Sequence, residues 1–408
     1  MALTVYQQPQ VLTPAYNDQI FTAISNNTAV SDFKYIVTIQ VNGGVIYTYN
    51  ILQRPDGWLV FNAMEQTKNF ISHYFNPLLA SPYNEIATGK SAVVQLKIKE
   101  YYSGAIQSTT TINYNVFDAC LKQEDFDNYN YNNFLLTTSP ISFLSKSNGL
   151  VGSLNEIIID NKIENDQDVF VHFIKNPARA LVKLVLVLYS DNTFTTVIES
   201  KFFNIVTPVN TYDTIVANIG TKCFTTNAVN GNVVYFYFLD NNTTSLPINS
   251  INVISSNIYT VIDVYTKFTK YVLYYLDRTG NIMFFTFELV SNFVDSIKRN
   301  TVNQKRKKLN TSTGAYSNNV WDSESFVIST DVSTKIILNS DWITEAQSTS
   351  LNDLFTSPIV YLLSPDGKYR SVQITLKEHK YEKHINTTLF NYVVECDLGI
   401  TETRQRGL

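Results

Sequence analysis

Little in this 408-residue chain is charged, loosely jointed or able to cross-link. Its three cysteines, Cys120, Cys223 and Cys396, are odd in number and far apart, which excludes a disulfide framework and a local CxxC metal knuckle. Synthesis in a reducing cytoplasm is the expectation. Charged residues are only 16% of the chain and the net charge is −4, so neither a polybasic nucleic-acid binder nor an acidic tail is encoded. Glycine (14) and proline (11) stand at about half their usual shares, which argues against disorder and long linkers. No apolar run approaches the roughly 20 residues that span a bilayer, and the opening residues lack the basic start and apolar core of a signal peptide. What is abundant is aromatic, 13% of the residues, and that favours strands. The length suits about two or three domains.

Alternation shows where the strands lie. Phe33, Tyr35, Val37, Ile39 and Val41 share one face, Asn42-Gly43-Gly44 turns the chain, and Val45, Tyr47, Tyr49 and Ile51 alternate back as a hairpin. Asn62 with Glu65 has the spacing of a capping box, opening a helix through Met64, Thr67, Ile71 and Tyr74/Phe75. Strands over 92–102 and 109–117 complete an N-terminal β-sandwich with one helix, residues 1–118. Residues 119–155 are polar and Asn-rich and are expected to form an extended connector arm. A central antiparallel domain over 156–300 follows, with strands near 156–159, 169–174, 180–189, 193–199, 233–239, 251–264, 270–276 and 282–290. Residues 301–408 read as an α+β domain. Its strands are 324–330, 334–339, 359–363, 369–376 and 389–397, and its one helix opens at Thr344 with Gln347 and stops at Pro358. The fold class is therefore mainly β, in two or three antiparallel sandwich or α+β domains with at most one short helix each.

Chemistry is sparse. Neither G-x-G-x-x-G, nor a P-loop, nor G-x-S-x-G occurs, so the backbone cradles and nucleophile elbow of those families are missing. His379 and His384 with Glu378 and Glu382 form a local metal-like cluster, but a spacing of five puts the imidazoles on opposite faces of a strand. Acidic clusters at Glu124, Asp125 and Asp127, and at Asp160, Glu164, Asp166 and Asp168, offer paired carboxylates or calcium oxygens without the glycine of an EF-hand loop. Exposed connector charge is the plainer reading. The sharpest feature is basic: Lys298, Arg299, Lys305, Arg306, Lys307 and Lys308 place six cations in eleven residues. They could neutralise phosphates or meet an acidic partner, though aromatics for base stacking are absent and a mobile loop is the default. The run Tyr235, Phe236, Tyr237, Phe238 reads as core or interface.

Three groups of segments together resemble the tail-region virion structural proteins of crAss-like and related phages of Bacteroidetes. The first is FKYIVTIQVNGGVIYTY at 33–49, followed by Asp56-Gly57 and the capped helix. The second is YYLDRTGNIMFFTF at 274–287, similar to a hairpin of that family. The third runs from Leu338-Asn339-Ser340-Asp341-Trp342 through Leu354-Phe355-Thr356-Ser357-Pro358 to Asn391-Tyr392 and Glu395. Asp277 stands where the family has Asn, and Asn281 and Met283 replace a glycine and an acidic residue.

The resemblance implies a structural ring protein of the tail barrel or neck in a short-tailed virion, surrounding the DNA channel used for genome ejection. It brings no catalytic motif, cofactor or metal. Expected partners are further copies in a homo-oligomeric ring, other tail, neck and portal-proximal proteins, and packaged DNA through non-specific contact, with no membrane. Assembly would occur in the bacterial host cytoplasm. A distal tail or fibre protein binding a host surface glycan is the alternative, and a glycan hydrolase using the acidic clusters a third reading.

Overall fold

A computed structural model describes residues 3–79, 83–136, 162–163, 167–175, 177, 182–239, 253–261, 267–303, 308–317, 325–375 and 389–405. The chain is mainly β, built from several antiparallel sheets, and folds into two units. Unit 1 comprises 1–265 together with 275–284 and 346–358; unit 2 comprises 266–274, 285–345 and 359–408.

Unit 1 contains two sandwiches. In the first, the hairpin Lys34–Val41/Val45–Ile51 turns through Asn42 and Gly43, both at positive φ. Ser91–Tyr102, Ala105–Phe117 and the short parallel strand Leu12–Pro14 extend it to five strands. Alternation decides which side faces inward: Tyr35, Val37, Ile39, Val94, Leu96 and Ile98 are buried against Leu3, Phe21, Ala23 and Leu59 of a three-stranded sheet, Leu3–Gln7, Ile20–Ser25 and Trp58–Asn62. The Tyr35 hydroxyl donates to the Gly57 carbonyl at 2.9 Å and accepts the Ser25 N–H at 3.0 Å, so this buried phenol is satisfied.

The second sandwich packs Leu135–Leu136, Phe170–Lys175, Thr214–Asn218 and Asn84–Ile86 against Lys162–Ile163, Val253–Val261, Val233–Leu239, Lys183–Tyr189 and Val197–Asn204. Lys183–Tyr189 is buried on both faces, one lined by Leu184, Leu186 and Leu188 and the other by Val185 and Val187. An uninterrupted apolar run is what that position requires. Because Asn84–Ile86 pairs with Thr214–Asn218, the N-terminal and central regions share a sheet.

In unit 2 the antiparallel strands Val360–Leu363, Tyr369–Ile374, Val393–Gln405, Ser325–Asn339 and Asn292–Asn303 lie in that order. Ile336, Leu338, Leu362, Val372, Val394 and Cys396 are among its buried side chains.

Several expectations need correction. The capping box does not close: Asn62 Oδ1 accepts the N–H groups of Gln19 and Met64, while Glu65 pairs with Lys68 at 2.7 Å. The helix is only Met64–Thr67 with a 3-10 turn Lys68–Phe70, and Tyr74 and Phe75 are not helical. The described part of the 119–155 arm is compact rather than extended, with a helix Gln123–Asp127 and a 3-10 turn Tyr131–Phe134. There Leu121, Tyr129, Phe134 and Leu135 pack on Leu12, Phe117 and Ile174, so apolar burial outweighs the segment's polar composition; residues 137–155 lie outside the described residues.

The strand expected at 193–199 starts at Val197, because Asp191 Oδ1 accepts from the Thr193 N–H and hydroxyl and holds a turn. Strands 324–330 and 334–339 are one, Ser325–Asn339. Asn292–Asn303 runs through the boundary expected at 300. The helix Glu345–Thr356 belongs from Ala346 onward to unit 1 rather than to the C-terminal sheet expected to carry it. Its end is tied there by Asp353, which accepts the Arg278 N–H at 3.2 Å, and by Ser357 Oγ, which accepts the Leu276 N–H at 3.0 Å. The strand expected at 156–159 lies outside the described residues.

Candidate functional site

Among the described residues two places concentrate chemistry or exposure, one in each unit. In unit 1 the turn after Asn84–Ile86 passes through Gly89 at φ +83° and sets Lys90 just ahead of Ser91–Tyr102 with its side chain fully buried. Lys90 Nζ lies 3.3 Å from Asp118 Oδ2 and donates to the Gly280 carbonyl. Burial pulls its pKa down from the lysine range, opposed by the Asp118 and Asp277 charges. Asp118 sits 3.0 and 3.1 Å from His73 Nδ1, and since a carboxylate only accepts, the proton of a neutral His73 is on Nδ1. Asp277 closes the 277–281 turn by accepting the N–H groups of Thr279 and Asn281 at 2.9 and 2.8 Å. Arg278 Nε is 3.4 Å from Asp353 Oδ1, and the Arg278 carbonyl accepts the Cys120 N–H at 2.8 Å.

Tyr16, His73, Asp118, Cys120, Asp277 and Arg278 line a cleft of about 370 Å³ at this corner. A thiol, an imidazole and a carboxylate lining one cleft invite comparison with a nucleophilic triad. However, burial, with the Asp118 charge and against Arg278, pushes the Cys120 thiol up, the direction that disfavours a nucleophilic thiolate. The carboxylates of Asp118, Asp277 and Asp353 are each engaged in holding backbone or a cation in place. These residues come from widely separated parts of the sequence, and only the turn pattern Asp277-x-Thr279-Gly280-Asn281 signals any of them locally.

In unit 2, Asn292–Asn303 pairs along its length with Ser325–Asn339, with a bulge between Asn300 and Thr301. All twelve of its residues are exposed, including Phe293 at 57% and Ile297 at 52%. Asp295 accepts from the Thr334 hydroxyl, and Asp331 from Thr403 and Asn300. Lys298 and Arg299 stand on this strand with no ion-pair partner among the described residues.

The chain matches no family model and no curated protein. The remaining sequence candidates separate. Of the six cations, Lys298 and Arg299 are in a paired strand rather than a loop, the backbone of Lys308 pairs with Ser317, and Lys305, Arg306 and Lys307 lie outside the described residues. Glu124, Asp125 and Asp127 are on the helix Gln123–Asp127, where Asp127 accepts from Gln123 at 2.7 Å. Asp168 is buried and holds Lys222 at 2.8 Å and Asn218 at 2.7 Å. Asp160, Glu164, Asp166, Glu378, His379, Glu382 and His384 lie outside the described residues. Phe236 and Phe238 are core. Among the described residues no three His, Cys, Asp or Glu side chains converge as metal ligands, and no helix is long and apolar enough to cross a membrane.

Proposed function

We propose that this chain is a structural protein of a short-tailed phage virion, one subunit of a ring in the tail barrel or neck around the channel through which the genome leaves. The observation that carries the reading is the ribbon in unit 2. Twelve consecutive residues of Asn292–Asn303 are exposed on both faces, a state that a β-strand seldom keeps without a neighbour to cover it. Repeated copies and adjoining tail proteins supply such neighbours. The segments that carry the family resemblance agree with a scaffold role: 33–49 forms the hairpin of the first sandwich, and 274–287 contains the turn that satisfies Lys90. Electron cryomicroscopy of particles of the encoding phage tests the proposal. Repeated copies in a ring on the tail axis are expected, and absence of the chain from mature particles refutes it.

A further inference from the structure

The outer part of the unit 2 sheet is a three-stranded ribbon. Ser325–Asn339 lies between Asn292–Asn303 on one side and Val393–Gln405 on the other, antiparallel to both. The two flanking strands therefore run parallel to each other. Tyr369–Ile374 reaches Val393–Gln405 only at Cys396 and Asp397, so among the described residues no strand pairs with the outer side of 401–405 or of Asn292–Asn303. Each side offers a row of backbone N–H and C=O groups to a further strand.

We propose that the ribbon docks a second copy of this chain, edge to edge and head to tail, with Asn292–Asn303 of one copy against 401–405 of the next. Charge supports that partner. One edge carries Lys298 and Arg299, the other an exposed Glu402 followed two residues on by an exposed Arg404, so only a register that sets Glu402 rather than Arg404 beside Arg299 is complementary; neither Arg299 nor Glu402 has an ion-pair partner among the described residues. The cross-strand pairs Ile297–Val332 and Val332–Glu402 put Ile297, Arg299 and Glu402 on one face. A slip of two residues, which keeps every side chain on its own face, sets Glu402 of one copy beside Arg299 of the next. The same step covers Ile297, now 52% exposed.

Geometry selects head-to-tail over two-fold pairing. A two-fold contact through Asn292–Asn303 joins one edge to itself and leaves 401–405 open, whereas a head-to-tail contact pairs both. Such a contact continues from copy to copy until rotation closes a ring. The inference stands on the ribbon and needs no virion, so it can fail while the proposed function survives.

Cross-linking of the full-length chain tests it. In a Cys120→Ser background, removing the exposed native thiol, Arg299→Cys combined with Glu402→Cys is expected on mild oxidation to give a ladder of dimers, trimers and larger species on a non-reducing denaturing gel. Neither single substitution should give species beyond a dimer. Circular dichroism checks that the exposed substitutions leave the fold intact. A companion measurement by sedimentation should show oligomers lost in Arg299→Glu and in Glu402→Arg and regained when both are present. No ladder at the highest soluble concentration overturns the proposal, as does efficient disulfide dimerisation of an Ile297→Cys chain in the same background, because a head-to-tail contact sets Ile297 of one copy against the 401–405 edge of the next and only a two-fold contact brings two copies of Ile297 together.

Discussion

At His172, Asn281 Oδ1 accepts both the backbone N–H and the Nδ1–H, at 3.0 and 2.9 Å, leaving the Nε2 lone pair buried without a partner. Burial first, and the charge of Lys90 second, hold the imidazole well below the usual histidine range, against the opposing pull of the Asn281 bond. The folded residue stays neutral at a pH where the unfolded one takes up a proton. Its contribution is complete above a pH of about 6.5 and is lost below it at about 1.4 kcal/mol per pH unit until the lowered folded pKa is reached. Urea unfolding should show little change from this group between pH 7.5 and 6.5, then a loss of about 1 kcal/mol by pH 5.5. His172→Gln should flatten that acid limb while lowering stability at neutral pH. An equally steep acid limb in the variant would exclude His172 as its cause.

Among elements, the 277–281 turn shows the tightest fit. Gly280 has φ +88°, and a Cβ there would lie 1.7 Å from the Asp118 carbonyl oxygen; Gly43, in the first hairpin, has φ +70° and open space. Gly280→Ala is expected to cost about 3 kcal/mol or more, since a backbone clash adds to left-handed strain, and Gly43→Ala about 1–2 kcal/mol. Denaturant midpoints rank the two, and equal shifts would refute the account. The same two turns show what could be read from sequence. Asn42-Gly43-Gly44 announces its hairpin because flanking residues alternate at period two, and Lys183–Tyr189 announces a central strand by its apolar run. Asn292–Asn303 was masked as a strand because exposure on both faces removes the alternation that would mark it. The Lys90–Asp118–Gly280 corner was hidden because its partners lie far apart in sequence, so no local period records it. Nor does the pairing of Asn84–Ile86 with Thr214–Asn218 leave a local trace.

At the scale of the whole molecule, unit 1 cannot be had by cutting the chain where its long first segment ends. A chain stopped at Tyr265 lacks 275–284 and 346–358, and with them Gly280 for Lys90 and Asn281 for His172. Leaving the buried Lys90 ammonium without its Gly280 acceptor, with Asp118 retained, costs about 1–3 kcal/mol, so thermal unfolding of the 1–265 chain should occur at a lower midpoint or lose cooperativity. A midpoint equal to that of the full chain would show the two returning segments to be dispensable. The interleaving also sets a schedule for the ribosome. At roughly 5–20 residues per second, the stretch from Tyr265 to Pro358 takes about 5–20 s to translate. All of unit 2's middle segment, 285–345, is made within that interval. Asp353 and Ser357, which fasten Arg278 and Leu276, emerge at its end, so the corner begun by Lys90 is finished only after most of its neighbour has been synthesised.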